Sequence, residues 1–497
     1  MVDYTSKDLE YLTRELTYTN TANQHLLKRH QSNHWLKNKN RWAWEARLKE
    51  LQASVYNTLI FEENGEKYIR PGSISYLDLP DSSIINLVQY PEPKKIPWAK
   101  TLPFTLYPYQ EASVEKLIKV KHGAISLTTG SGKTAIILKL LRELGLSAVV
   151  VVPSVSIFNE ILERLELHFG KGSIGAYGDG KKRIGKKITI AIADSLVNLK
   201  PNTEIYDFFS KKQVFISDEA HLLPSETLEK VCHGALAEVP YRLFLTATHT
   251  RGDGGVKLLQ SITGPIVHSL TTAEAVAGGY ICPHDFKIVN VESSNPNYNS
   301  NDALEQKRIH FLRNRNIASF IAKLANTMAL IRGEQTLILV EELSQIAMLI
   351  PLLKIPFAYA HSESSKSKLE ELKMKTGVLL EKVDTSENIE KFNKNEVKTL
   401  IGTSCIQVGV NIFSTTNTVN WVGGSSEIKT KQGAVGRSVR LGSHNPWQDR
   451  CIKKQKCSIW DFNVLNNPIL EAHLESRIKY YNESGNNLIT YIRKINA

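Results

Sequence analysis

Between residues 122 and 246 the chain alternates short apolar runs with amphipathic stretches. Residues 124–127, 148–152, 188–193, 214–216 and 241–245 are almost wholly apolar and rich in β-branched side chains, the pattern of strands buried on both faces. Each run ends in small or polar residues: Thr128-Thr129-Gly130, Pro153-Ser154, Asp194-Ser195, Asp218-Glu219 and Thr246-Ala247-Thr248. Between the runs, apolar residues such as Ile136, Leu138, Leu140 and Leu144 recur along a stretch that reads as a helix. Repeated strand, loop and helix predict a doubly wound parallel sheet, with the polar run-ends gathered on one edge where ligands bind. A second set of apolar runs, at 336–340, 357–360, 399–403 and 418–422, predicts a second α/β sheet. The polar, Asn-rich stretch 292–303 is the expected connection between the two.

The chemistry sits at the run-ends. Gly130-Ser131-Gly132-Lys133-Thr134 follows the first strand and opens a helix, the setting of a phosphate-binding loop. Gly130 and Gly132 let the backbone N–H groups of this loop, Ser131 included, wrap a phosphate. Lys133 would reach the β- and γ-phosphates and the Thr134 hydroxyl would hold Mg²⁺. Leu127 stands where the eight-residue pattern usually opens with glycine. Upstream, in Leu106-Tyr107-Pro108-Tyr109-Gln110, the Gln110 amide can pair with an adenine edge and the Tyr109 ring can stack on the base. Asp218 and Glu219 leave their strand at the same edge; one carboxylate can complete a Mg²⁺ shell and the other can activate water. Thr246 and Thr248 place hydroxyls nearby. In the second half, Gln432-Gly433-Ala434-Val435-Gly436-Arg437-Ser438-Val439-Arg440 puts Arg437 and Arg440 on one helix face, where two guanidiniums could bracket a γ-phosphate.

Gly-Ser-Gly-Lys-Thr, Asp-Glu-Ala-His, Thr-Ala-Thr and the paired arginines, in this order, resemble the motifs of superfamily 2 helicases. Asp-Glu-Ala-His followed by Thr-Ala-Thr, Arg251 and Gly264-Pro265 is similar to the branch that holds the type III restriction motors and the UvsW-like phage recombination helicases. The likeness covers roughly residues 103–465 and implies two RecA-like lobes. It implies Gln110 at adenine, Lys133 and Thr134 at phosphate and Mg²⁺, Asp218 at Mg²⁺, and Glu219 as catalyst. It further implies that His221, Thr246 and Thr248, together with Gln432, couple hydrolysis to movement along a strand. The stretch from Thr403 through Gly409 to Asn411 resembles the motif touching both nucleic-acid backbone and nucleotide. Pro153, Ser154 and Asp194 lie on loops expected to grip the strand. His249 stands where the family usually has proline, Asn411 where many relatives have aspartate, and Gln432 lies three residues rather than two before Gly-Arg.

Charge widens the picture. The 62 Lys+Arg exceed 50 Asp+Glu, a formal net charge of +12 that favours a polyanionic partner. Much of the excess lies in residues 25–49, where Lys28, Arg29, Lys37, Lys39, Arg41, Arg47 and Lys49 face Glu45 alone, with Trp35, Trp42 and Trp44 interleaved. Two readings stand: a nucleic-acid surface pairing phosphate neutralisation with base stacking, or a basic helical face whose tryptophans pack inward. Residues 58–90 alternate like a small strand-rich unit, and Pro91, Pro93 and Pro97 mark a linker. The expected organisation is an N-terminal accessory domain at 1–98, one lobe at 99–291, a linker at 292–303, a second lobe at 304–465 and a helical tail at 466–497. Five cysteines without a CxxC pair, a charged start and no bilayer-length apolar run predict a soluble cytoplasmic monomer, in a bacterial host cell if phage-encoded.

The leading expectation is an ATP- and Mg²⁺-dependent DNA helicase or translocase moving 3′ to 5′. Its partners would be single-stranded and branched DNA and other recombination or replication proteins, with roles in recombination, repair or replication. An RNA helicase, or a motor subunit of a restriction or defence complex, are the alternatives. A non-hydrolysing nucleotide-gated module is disfavoured by the intact Lys133, Asp218, Glu219, Arg437 and Arg440.

Overall fold

The computed structural model describes the chain apart from residues 1–5, 33, 64–65, 79–87, 97–104, 221–224, 248–255, 299, 301, 363–364, 407–411, 413–414, 426–434, 437–438, 440–455, 484–488 and 493–497. It divides into two compact units, Met1–Thr128 with Gly132–Leu270, and Thr271–Ala497 with Thr129–Ser131.

The first unit is built on a sheet whose strand order is Ile266–Leu270, His122–Leu127, Tyr241–Thr246, Val214–Ser217, Ala148–Val152, Ile188–Ile192, Ile174–Gly178 and Lys181–Arg183. All neighbours run parallel except the last pair. Ala148–Val152 shows why: every residue is at most 1% exposed, because helices cover both faces and only a continuous apolar run survives there. Parallel pairing sends the carboxyl ends of these strands to one edge, with Ser217 opposite Val151 and Phe244, and Thr246 opposite Ser126. Phe209, Phe215, Phe244, Leu228 and Leu236 fill the core on one face.

The N-terminal region is fastened to this unit. Strands Thr17–Thr19 and Tyr56–Thr58 form an antiparallel pair that carries three helices, Thr21–Gln31, His34–Lys39 and Arg41–Val55, between its ends. A hairpin, Ile60–Glu63 with Glu66–Ile69, follows. The 3₁₀ helix Pro71–Tyr76 then lies on helix Val256–Thr263. The buried Arg70 pairs with Glu229, Tyr76 hydrogen-bonds to Gln260, and Lys257 donates to the carbonyls of Glu15 and Thr17. A side chain on Gly72 would lie 2.2 Å from the Gln260 carbonyl oxygen, so only glycine permits this contact. The proline-bearing linker is also engaged: the amides of Lys94 and Ile96 donate to the carbonyls of Leu144 and Arg142, both at 2.8 Å. These are last-turn carbonyls of helix Lys133–Leu144, which ends on Gly145 in the left-handed region at φ 54°. A Cβ on Gly145 would sit 1.7 Å from the Lys94 carbonyl oxygen. The strap caps the helix in place of water.

The second unit has an all-parallel sheet in the order Phe357–Ala360, Thr399–Gly402, Thr336–Val340, Asn417–Trp421, Cys457–Val464, His284–Val291 and Ile489–Ile492. Helix Arg315–Arg332 packs Ile317, Ile321 and Ala325 onto it, and the Trp421 indole donates to the Phe311 carbonyl at 2.9 Å. Helix Pro468–Glu483 brings Arg477 to Asp461 (2.7 and 3.0 Å) and to the Gly424 carbonyl (2.6 Å), a buried ion pair with its remaining donor satisfied.

Three organisational expectations shift. The break between units falls at Leu270 and Thr271, because the strand His284–Val291 pairs with Cys457–Val464 rather than with the first sheet. The Asn-rich stretch 292–303 therefore lies inside the second unit, where the Asn314 amide donates to the Glu292 carbonyl at 2.9 Å. The last segment adds a strand, Ile489–Ile492, to the helix expected there. Among the described residues no helix is long and apolar enough to cross a membrane, and no cluster of His, Cys, Asp and Glu is suited to a metal. Among the described residues Cys232, Cys282, Cys405 and Cys457 form no disulfide.

Candidate nucleotide site

The loop after His122–Leu127 turns with Gly130 at φ 85° and Gly132 at φ 77°, both in the left-handed region that favours glycine. Helix Lys133–Leu144 starts at the next residue, so Lys133 and Thr134 stand in its first turn, where the helix dipole favours an anion. The Lys133 ammonium, 8% exposed, pairs with Glu219 at 3.1 Å. Loop and acidic pair, distant in sequence, thus meet at the carboxyl edge of the sheet.

Asp218 is anchored by its backbone. Its N–H donates to the Val151 carbonyl at 3.0 Å, and its Oδ1 accepts the Glu219 N–H at 3.0 Å. Burial, reinforced by the Glu219 charge, raises the Asp218 carboxyl well above the usual range; Lys133 opposes this only in part. Glu219 has φ 49°, a conformation costly for a residue with a Cβ. Such strain persists where the surroundings over-determine it, as at active sites. The two acidic side chains stand at the same edge as the helix turn that carries Thr134, and carboxylate and hydroxyl oxygens are the ligand chemistry a hard divalent cation takes. Thr246, 4% exposed, ends its strand beside Ser126.

Gln110 and its neighbours differ from expectation. Gln110 is 4% exposed, with Oε1 accepting the Tyr107 N–H at 2.9 Å and Nε2 directed at the Gly132 carbonyl at 3.5 Å. Tyr109 is buried, whereas Tyr107 is 41% exposed. Pro108 was the available signal: proline at the first helical position makes residue 107 the cap and turns residue 109 inward.

The strand-contact candidates are only partly brought together. Pro153 and Ser154 follow Ala148–Val152, with the Ser154 hydroxyl accepting the Ile157 N–H at 3.5 Å as a helix cap. Asp194 is exposed in the first turn of helix Ala193–Val197 at the same edge. Thr403, in the second unit, follows Thr399–Gly402 and is 8% exposed. In the N-terminal module Trp42 is 81% exposed and Arg41 pairs with Glu45 at 2.8 Å. Trp44 is buried instead, stacked on His30 with its indole N–H on the His30 carbonyl at 3.0 Å. The inward-packing reading of the basic stretch therefore holds for Trp44, whereas Trp42 stays at the surface. His221, Thr248, Gly409, Gln432, Arg437 and Arg440 lie outside the described residues, as do the side chains of Arg29 and Trp35.

Residues 103–251 match the family model of the type III restriction enzyme res subunit. A 211-residue stretch is 34% identical to the DNA 3′-5′ translocase XPB2 of Sulfurisphaera tokodaii, covering 42% of this chain and 45% of that protein. A putative ATP-dependent RNA helicase, L396, of Acanthamoeba polyphaga mimivirus is 24% identical over 213 residues, 42% of this chain and 40% of that one. The chain thus spans less than half the length of these relatives. Among solved structures, Mss116p bound to single-stranded RNA and AMP-PNP superposes with a TM-score of 0.52 at 14% identity, over 82% of this chain and 83% of that one, a likeness of fold. By its motifs and its matched segment the chain resembles the superfamily 2 helicases, the type III restriction motors among them.

Proposed function

We propose that the protein is an ATP-dependent DNA translocase or helicase that remodels branched DNA in recombination, repair or replication, moving 3′ to 5′. The observation that carries the reading is the Lys133–Glu219 pair, which joins a phosphate loop to a buried acidic step at one sheet edge. A triphosphate entering the loop competes with Glu219 for the Lys133 ammonium. Glu219, released, is the general base that orients and deprotonates the attacking water. Thr134 and Asp218 would hold Mg²⁺, which when bound neutralises phosphate charge. The helix N-terminus and the loop amides fix the phosphates. Arg437 and Arg440 are proposed as the arginine fingers, with His221, Thr246, Thr248 and Gln432 as coupling residues and Gly409 near the nucleotide. Pro153, Ser154, Asp194 and Thr403, with Arg29, Trp35, Arg41 and Trp42 of the N-terminal module, are proposed to meet the nucleic acid.

DNA is preferred over RNA because the relative that is more similar in sequence is a DNA translocase. The test is ATP turnover without nucleic acid, then with single-stranded, forked and four-way DNA and with single-stranded RNA. Stimulation should be greatest on branched DNA, and Glu219→Gln should lose at least about 100-fold in turnover. Stimulation by RNA alone would overturn the DNA assignment, and undiminished turnover in the variant would overturn the site.

A further inference from the structure

Resting on the nucleotide-site reading above, we infer that Gln110 braces the phosphate loop rather than reading the base, and that the Tyr107 ring meets the base by stacking, leaving the site tolerant of the nucleobase.

The brace is visible in two contacts and in the clearance that a glycine leaves for them. Helix Pro108–Val120 begins with proline at its first position, and Gln110 folds back so that its Oε1 accepts the Tyr107 N–H at 2.9 Å. Its Nε2 faces the Gly132 carbonyl at 3.5 Å. On the other side, a Cβ on Gly132 would lie 2.7 Å from that same Nε2, so the loop's second glycine leaves the room the amide occupies. Reading a base needs an amide whose donor and acceptor both face the ligand. At 4% exposure, with its oxygen spent on its own helix cap, Gln110 is built into the wall.

The aromatic pair beside it is sided. The Tyr107 and Tyr109 rings stack at 5.9 Å between centroids and 12° between planes. Tyr109 is 7% exposed and Tyr107 41%, so the outer ring is the one presented to solvent. Tyr107 is also the residue whose N–H the brace holds, which ties the ring to the loop through a single side chain. A π-face accepts any base, whereas hydrogen-bond readout rejects a wrong partner by about 10⁴- to 10⁵-fold.

The experiment uses the full chain with saturating single-stranded DNA. Binding of a fluorescent ATP analogue comes first, then steady-state turnover of ATP, GTP, CTP and UTP. GTP should reach a kcat/KM within about 10-fold of ATP. Tyr107→Ala should raise KM for ATP and GTP alike by about 10-fold with kcat within about 2-fold, and Tyr107→Phe should restore most of the affinity. Gln110→Ala should lower kcat for both nucleotides while leaving their ratio unchanged. An ATP preference above about 10³-fold that collapses in Gln110→Ala would overturn the inference, as would an unchanged KM in Tyr107→Ala. Those outcomes leave the proposed function standing. A chain that bound no triphosphate, or a Lys133→Ala variant that turned over ATP normally, would overturn the function and this inference with it.

Discussion

Asp218, proposed to hold Mg²⁺, is buried in a state that costs the resting protein stability at neutral pH. Its carboxyl is raised by burial and by Glu219, so the folded state binds the proton more tightly than the unfolded chain does. Stability linked to this group is fully present at low pH and is lost as pH rises from the usual carboxylate range through the raised value. Asp218→Asn, which removes the ionisation, should therefore melt higher than the wild type at about pH 8, with the difference shrinking at about pH 5, while Mg²⁺-dependent turnover disappears. Thermal melts at the two pH values check it; a variant less stable at the higher pH would show that the charge is well solvated. The tryptophans of the N-terminal module give a paired test at the same scale. Trp42→Ala should leave stability within about 0.5 kcal/mol yet weaken single-stranded DNA binding about 10-fold. Trp44→Ala should destabilise the module by about 3 kcal/mol, because it empties the contact with His30. Equal DNA affinity in Trp42→Ala would remove the stacking role.

At the scale of elements, legibility followed burial. Runs buried on both faces, such as 148–152 and 336–340, stand in the structure with the ends read from the sequence, since nothing but a central parallel strand fits a continuous apolar run there. The N-terminal region was less legible. Among the described residues its helices, Ser6–Leu16 and the three between the paired strands, carry few buried side chains, and the attachments of Arg70, Gly72, Lys94 and Ile96 depend on partners more than 40 positions away, which no local pattern encodes. The same pairing offers a cut that the sequence does not suggest. Thr19 is the register partner of Tyr56, and the Asn20 N–H donates to the Val55 carbonyl at 2.7 Å, so residues 20–55 leave and return at one point. Replacing them with an Asn-Gly turn should preserve the fold and basal ATP turnover while reducing affinity for DNA forks. Deleting all of 1–98 should instead destabilise the first unit, because it removes Arg70 from Glu229 and uncaps helix Lys133–Leu144. Fork affinity unchanged by the short excision would take the basic module out of DNA binding.

For the whole molecule, spacing in the sequence picks out residues that meet at one sheet edge, as at Lys133 and Asp218-Glu219, whereas the way a side chain turns is not encoded there. In Tyr-Pro-Tyr-Gln the proline marks residue 107 as the cap and so the outer ring, but nothing there says which way the amide turns; its contacts with the Tyr107 N–H and with Gly132 settle that. The strap at Lys94 and Ile96 extends this reasoning across the first unit. The strap grips helix Lys133–Leu144 at Arg142 and Leu144, about 15 Å along its axis from Lys133 at the phosphate-facing end. The two strap amides can trade their hydrogens with solvent only when the strap lifts or the last helical turn frays. A ligand present at about 100 times its dissociation constant stabilises its bound form by about 2.7 kcal/mol. If the helix opens as one cooperative piece, deuterium uptake at Lys94 and Ile96 should slow by up to about 100-fold on addition of ATP analogue, although neither residue touches the nucleotide. Uptake indifferent to nucleotide would mean that the strap opens independently. With slowing, a proline-rich segment that looks like spacer becomes a remote gauge of occupancy at the other end of the helix.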